Sequence, residues 1–143
     1  MTTLYDAKTA VFKITDNGGT LRDISPYIIS LEGLPGEVPV FPITSFGDAG
    51  ETYVKLKPNQ AFTIYLKWSD DASVGPDVVL SGLLEKESAV AFEFYPRGNA
   101  SGRPKYTGNC WFTGFPVKVQ TGQDMAASAS FKVDGKLTRG TVT

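Results

Sequence analysis

Three stretches of the chain alternate between apolar and other residues, and they constrain the fold more than any other feature. They are Gln60–Trp68, Ser88–Tyr95 and Met125–Val133. Successive side chains of a β-strand point to opposite faces, so a period of two predicts strands with one buried face. Weaker alternation predicts further strands at Ala10–Thr15, Tyr27–Leu31, Thr52–Leu56, Asn109–Val119 and Lys136–Thr143. The sequence therefore predicts a mainly β fold, a β-sandwich or β-barrel of two packed antiparallel sheets.

Glycine, proline and aspartate separate the predicted strands. The segments Asp16–Gly19, Asp134-Gly135 and Pro96–Gly108 have the composition of turns. Pro116 falls inside a predicted strand, where it marks a bulge, a bend or an edge position because it has no N–H to donate.

One segment departs from the period of two. Between Gly75 and Lys86 the apolar residues have helical i, i+3, i+4 spacing: Val79, Leu80, Leu83 and Leu84. Pro76 suits the first helical position, and Asp77 suits the positive end of the helix dipole. We therefore expect a short amphipathic α-helix over about residues 76–86, packed on a sheet.

A second unusual segment is Leu34–Pro58, which combines four prolines and three glycines with large apolar side chains. Connections in compact domains are usually about 4–6 residues long. A longer, partly apolar loop either folds over its own domain or docks on another subunit. The sequence leaves both interpretations open.

Length and charge limit the function classes. The 143 residues suit one domain, spanning residues 1–143. The net charge is −1, from 14 basic and 15 acidic residues, whereas tight nucleic-acid binding needs a basic surplus. We find no secretory signal and no long apolar run, so we expect neither a membrane partner nor export.

The scarcity of reactive side chains argues against an enzyme. The chain has no His and a single cysteine, Cys110, in an apolar alternating run that predicts a small core residue. Paired carboxylates occur only at Asp70-Asp71 and at Glu85 and Glu87, where solvated turn residues are expected. We therefore predict no catalytic residue, no metal site and no cofactor.

The two tryptophans receive different interpretations. Trp68 shares a strand face with Phe62 and Ile64, which predicts a core position. Trp111 faces away from Cys110, so it is core, a contact with a neighbouring subunit, or a sugar-binding surface.

The order of segments from Thr44 to Thr143 resembles the tail tube (major tail) proteins of siphophages. Thr44–Tyr53 contains Phe46-Gly47-Asp48 and resembles the segment that precedes the first central strand in that family. An alternating strand, an acidic turn, a short helix and an aromatic strand follow. Ala127–Arg139 resembles the family's small-residue strand.

The resemblance implies a β-sandwich or β-barrel subunit. Six copies would close into a ring, and rings would stack into a hollow tube through which DNA leaves the virion. Partners would be the subunit itself, the tape-measure protein, the tail tip or baseplate and the terminator protein, with transient, non-specific passage of DNA. Assembly would take place in the host bacterial cytoplasm.

Two groups of residues are the candidates for these contacts. The first lies in the long loop and would dock on the adjacent ring: Phe41, Ile43, Phe46, Asp48 and Tyr53. The second would face the lumen, where small and polar side chains suit a conduit: Thr113, Ser128, Ser130 and Lys132.

Three other functions remain open. A tail terminator or a baseplate hub protein of similar fold would form a single ring that does not stack. A monomeric carbohydrate- or receptor-binding module would use a surface aromatic cleft, with Trp111 and Tyr106 as candidates.

Overall fold

The computed structural model describes residues 9–34, 36, 38–57, 60–72 and 74–143. Pro35, Glu37 and Pro58 of the predicted long loop lie outside the described residues. The elements in chain order are β1 (Val11–Thr15), β2 (Leu21–Asp23), β3 (Ile28–Glu32), β4 (Val40–Pro42), β5 (Tyr53–Lys55), β6 (Ala61–Lys67), α1 (Pro76–Leu80), β7 (Val90–Tyr95), β8 (Pro104–Gly114), β9 (Val117–Lys118) and β10 (Ala126–Thr141).

Eight of these strands form one antiparallel sheet in the order β2-β1-β7-β8-β10-β6-β3, with β9 paired to β10. Phe12 on β1 and Phe62 on β6 have ring centroids only 5.9 Å apart. In a flat sheet those two strands would be about 19 Å apart, at about 4.8 Å for each of four strand spacings. The sheet therefore curls on itself, and the predicted mainly β, barrel-like fold is confirmed.

The core of the curled sheet is a cluster of phenylalanines. Phe62 and Phe131 stack with their ring centroids 4.7 Å apart, and Phe62 lies 5.1 Å from Phe92. These rings are almost completely buried, as is Phe12. They come from three of the strongly alternating strands and from β1, so the period-two pattern correctly identified the buried face.

The helix closes the core but is shorter than predicted. Pro76 and Asp77 occupy the first turn of α1, as expected, and a 3-10 turn follows at Ser81–Leu83. The expectation that Leu84 packs inward is wrong, since this side chain is 48% exposed. The change from α to 3-10 geometry at Ser81 raises the rotation per residue from about 100° to about 120°, so Leu84 no longer lies on the face that the α-helical spacing predicts.

Trp68 corrects a second expectation, because it is half-buried rather than part of the core. Strand β6 ends at Lys67, and the backbone N–H of Trp68 donates to the carbonyl of Met125 just before β10 begins. Trp68 therefore lies beyond the regular strand, where the alternation of faces no longer fixes its direction.

The predicted turn at Asp134-Gly135 is also wrong. Strand β10 runs continuously through it, so the separate C-terminal strand predicted at Lys136–Thr143 forms the second half of β10. Gly135 has a φ of +82°, and the pairing with β8 changes register between Asp134 and Thr138. Strand β8 supplies partners on both sides of this point, so the dipeptide makes a bulge and not a chain reversal.

The pairing of β8 with β10 also shortens the turn predicted at Pro96–Gly108. Strand β8 begins at Pro104, inside the glycine- and proline-rich segment, because Thr138–Thr141 provides it with a partner strand. Pro116 lies between β8 and β9, as the sequence predicted for a bend, and its carbonyl accepts the N–H of Ser128.

The predicted turn at Asp16 is confirmed and leads into β2, a strand that the sequence analysis missed. The Asp16 carboxylate accepts the N–H groups of Gly18 and Thr20 and forms an ion pair with Arg22 at 3.0 Å. The Thr20 N–H, followed by Arg22, lowers the pKa of Asp16. Asp16 is therefore a turn-stabilising residue.

We found no helix in the described part of the chain that is both long and apolar enough to cross a membrane.

Candidate assembly surfaces

The predicted long loop is a β-hairpin, here called the arm (residues 38–57). Strands β4 and β5 pair through Phe41 opposite Val54, and the Ile43 N–H donates to the carbonyl of Thr52. The alternation in the sequence predicts β5 but not β4. Pro39 precedes β4 and Pro42 ends it, and both argue against a strand, although proline is acceptable in an isolated two-stranded ribbon with open edges.

The arm leaves its apolar side chains in solvent. Every residue from Pro39 to Lys57 is exposed. The large apolar side chains among them are Val40, Phe41, Ile43, Phe46, Tyr53, Val54 and Leu56. The sequence leaves open whether the long loop folds over its own domain or docks on another subunit. The structure does not show the loop folded over its own domain.

Hydrogen bonds within the arm hold its tip in one shape. Ser45–Asp48 form a turn in which the Asp48 N–H donates to the carbonyl of Ser45 at 3.1 Å. The Asp48 carboxylate accepts the Ser45 N–H at 2.8 Å and the Thr52 hydroxyl at 3.4 Å. Phe46 follows Ser45 in this turn and is fully exposed. The arm therefore presents a phenyl ring on a pre-organised tip.

Tyr53 lies on β5, near the base of the tip. Its hydroxyl donates to the Glu51 carboxylate, which raises the pKa of Tyr53. Tyr53 and Asp48, both predicted site residues, thus contribute contacts inside the arm.

Three residues predicted to face the lumen share one face of β10. Ser128 and Ser130 are half-buried and Lys132 is exposed. Their partners on β6 are Tyr65, Thr63 and Ala61, respectively. We call this side of the sheet, opposite the phenylalanine core, the outer face.

Thr113 lies beside this row because of a β-bulge. Phe112 pairs with Phe131 and Gly114 pairs with Ser130, so Thr113 is the extra residue on β8. Its hydroxyl donates to the carbonyl of Ser130 at 3.0 Å. The structure therefore brings Thr113 and Ser130 together, while the arm residues form a separate group.

The sequence analysis missed one aromatic contributor to the outer face. Tyr65 is 42% exposed and lies opposite Ser128. Its place on the polar side of a strongly alternating strand was a usable signal. Trp111 is 39% exposed and pairs with Lys132, so it belongs to the same face and not to the core.

The buried thiol is not a reactive group. Cys110 is fully buried on the core face of β8, as predicted, and burial raises its pKa to about 12. Across the described ranges, no group of three or more His, Cys, Asp and Glu side chains is arranged to hold a metal ion.

We expect the stability of the fold to fall as the pH rises from about 9 to about 12. Unfolding returns Cys110 to its ordinary pKa of 9.0, so the unfolded chain releases a proton that the folded chain retains. Burial, followed by Glu93, also raises the pKa of Tyr95 to about 12, which acts in the same direction. Urea unfolding at a series of pH values measures the fall. A Cys110→Ala control should reduce the fall to the part that Tyr95 contributes, and an unchanged slope would contradict the role of the thiol.

No protein-family model and no curated protein match the chain. Several solved structures, however, do match it. A chain from the tail of an empty gene transfer agent particle, determined with C6 symmetry, superposes with a TM-score of 0.72 at 11% identity, covering 94% of this chain and 98% of that one. The chain has a tail-tube-like fold.

Two further structures extend the likeness to contractile systems. A chain of the sheath–tube complex of the PVC extracellular contractile injection system gives a TM-score of 0.66 at 12% identity, covering 97% of this chain and 93% of that one. A chain of the tube-terminating cap of the anti-feeding prophage gives 0.65 at 10% identity, covering 99% and 95%. The fold is therefore common to tails, tubes and their caps, and it does not single out siphophages.

Proposed function

We propose that this chain is a non-catalytic structural subunit of a tail tube, in which six copies close into a ring and rings stack into a hollow conduit. The observation that carries the proposal is the arm, a pre-organised hairpin whose large apolar side chains are all exposed. Monomeric soluble proteins rarely keep a large contiguous apolar patch in water. A surface of this kind is completed by another subunit.

The arm supplies the contact between rings. Phe41, Ile43 and Phe46 are each more than half exposed. Burying a side chain of this size contributes about 1.5–3 kcal/mol relative to full exposure. A contact repeated at every subunit of every ring is a strong driving force for stacking.

The sheet supplies the contact within a ring. Strands β2 and β3 lie at the two ends of the strand order. Open sheet edges pair readily with another chain, and head-to-tail contacts close into rings when the rotation allows it. The C6 symmetry of the similar gene transfer agent tail is the ground for proposing six copies.

The outer face around β10 lines the lumen in this proposal, with Ser128, Ser130, Lys132 and Thr113 toward the channel. Hydroxyl groups with little net charge suit the passage of DNA, because a strongly basic lining would retain phosphates. Ser130→Arg is expected to slow or block DNA ejection from assembled particles, as measured by DNA release. Ser130→Thr is the control. Normal ejection by the arginine variant would contradict the lumen assignment.

The remaining partners follow from the same proposal. The tube is built in the host cytoplasm on the tail tip or baseplate, around a tape-measure protein, and ends at a terminator. The finished subunit resides in the virion. A siphophage tail is the specific setting that the segment Thr44–Thr143 supports.

The likeness to a tube-terminating cap favours one alternative, a terminator that forms a single ring. Negative-stain electron microscopy of the concentrated protein, with and without its tail tip and tape-measure proteins, separates the two functions. Stacked hollow rods are expected for a tube subunit, and single rings for a terminator. Monomers in the presence of all partners would contradict both, and would favour a binding module that uses Trp111.

A further inference from the structure

An apolar groove of about 420 Å³ lies at one end of the sheet, where β3, β6, β9 and β10 meet. Most of its lining is apolar, including Ile29, Pro116, Val117 and Ala126, and Ser128, at the end of the outer-face row on β10, also borders it. Ile29 is 62% exposed because it is the extra residue of a β-bulge: Ile28 pairs with Leu66 and Ser30 with Tyr65. Bulges turn a side chain away from its regular position. Here the bulge places an isoleucine on the wall of an open groove, at the end of the outer face where the next ring would begin.

The arm emerges from the opposite end of the same strands. The groove surrounds the end of β6 at Leu66, whereas the arm joins the sheet just before the start of β6 at Ala61. Five residues of strand separate these points, or about 17 Å. The arm's own Phe46 is fully exposed, so it does not fill the groove of its own chain.

We infer that the groove receives Phe46 from the arm of a second copy in the adjacent ring. This inference rests on the proposed function and names the partner surface of the arm. An apolar projection at one end of a subunit and an apolar groove at the other are the two halves of a head-to-tail contact, which repeats without limit when it does not close. At about 420 Å³ the groove is large enough for a phenyl ring.

Charges support the same pairing. Lys67, Ala126 and Lys118 lie side by side on β6, β10 and β9, so two lysines flank the groove. The tip of the arm carries Asp48 and Glu51. Opposite charges at the rim of an apolar contact set its register and speed its formation.

Asp48 acts as a positioning residue. Its carboxylate accepts the Ser45 N–H and so fixes the turn that presents Phe46. A group held in its bound shape loses less conformational freedom on docking, which strengthens the contact. The hydrogen bonds of the tip thus have a function in a segment whose residues from Pro39 to Lys57 are all exposed.

Cysteine cross-linking tests the inference on the full chain. A Gly47→Cys, Val117→Cys double variant, which keeps Phe46, is assembled with the tail tip and tape-measure proteins and treated with a short bismaleimide. A Cβ at position 47 meets no atom within 4 Å beyond its chain neighbours, so this cysteine leaves the tip undisturbed. Each copy then carries one donor and one acceptor, so we expect a ladder of multimers on a denaturing gel. A mixture of the two single variants should give dimers alone. Gly47→Cys combined with Ser101→Cys, at the arm end of the sheet, is the matched control, and Cys110 is buried and should not react.

Each result has a separate meaning. A ladder from the Gly47/Val117 cysteine pair alone supports the inference. Tubes without a ladder, or an equal ladder from the Ser101 control, overturn the groove assignment and leave the proposed function standing. Failure of the unmodified chain to form tubes with its partners overturns both the groove assignment and the proposed function.

A charge reversal tests the pairing at the rim independently. Lys118→Glu should raise the protein concentration needed for tube formation, and adding Glu51→Lys should bring that concentration back down. No rescue by the second substitution would count against the charge pairing.

Discussion

Replacement of Phe41, Ile43 and Phe46 by serine is expected to abolish tube formation while leaving the fold intact. These side chains are exposed in the single chain, so the substitution removes little internal packing, and the free energy of unfolding should change by less than about 0.5 kcal/mol per site. At the contact between rings, full burial contributes about 1.5–3 kcal/mol for a fully exposed side chain and about half of that for Phe41 and Ile43, so the same change removes at least about 3 kcal/mol. That loss corresponds to a contact weaker by at least about 100-fold.

The measurement combines electron microscopy of assembled samples with urea unfolding of the same preparations. A Val78→Ser, Leu84→Ser variant is the matched control, because these side chains are also apolar and exposed but belong to the helical region. The control should still form tubes. Tubes of normal length from the arm variant would show that the arm is not the contact between rings.

Phe131→Ala is expected to lower the free energy of unfolding by about 3–5 kcal/mol. Phe131 is 1% exposed, and its ring lies 4.7 Å from Phe62 and 5.0 Å from Phe112. Alanine would leave a cavity in the cluster that joins the two sides of the curled sheet. Small domains are stable by only about 5–15 kcal/mol, so this one change removes a large part of the total.

Phe46→Ala is the matched control for this experiment, because it removes the same atoms from a fully exposed position. Its urea midpoint should be close to that of the unmodified protein. The two variants therefore separate the core from the assembly surface: one loses stability, the other loses assembly. A loss below about 1 kcal/mol for Phe131→Ala would contradict the central role of the phenylalanine cluster.

The two candidate groups of assembly residues differ in how far the sequence could define them. The arm residues were predicted because a long segment that combines many prolines with large apolar side chains is unusual in a compact domain. Ser128, Ser130 and Lys132 were found because they alternate with the core residues of β10. The groove was not found, because Ile29 and Val117 come from strands that are distant in sequence and ordinary in composition.

The sequence by itself determined the features that arise within a few residues. The period of two selected the buried phenylalanines, Pro76 marked the start of the helix, and Asp16 fixed its turn. These features depend on side-chain direction, on a fixed φ angle and on a local hydrogen bond, respectively. All three are determined by residues that are neighbours in the sequence.

Only the tertiary structure decided what depends on partner strands. Pairing with β8 carried β10 straight through Asp134-Gly135, where the local signal favoured a turn. Shifts in strand register produced the bulges at Ile29 and Thr113, and no local sequence pattern predicts them. The exposure of Phe46 was likewise settled by the absence of a surface to cover it within the described chain. The free energies of strand pairing and of burial depend on contacts between segments that are distant in sequence. A single stretch of sequence therefore does not predict them.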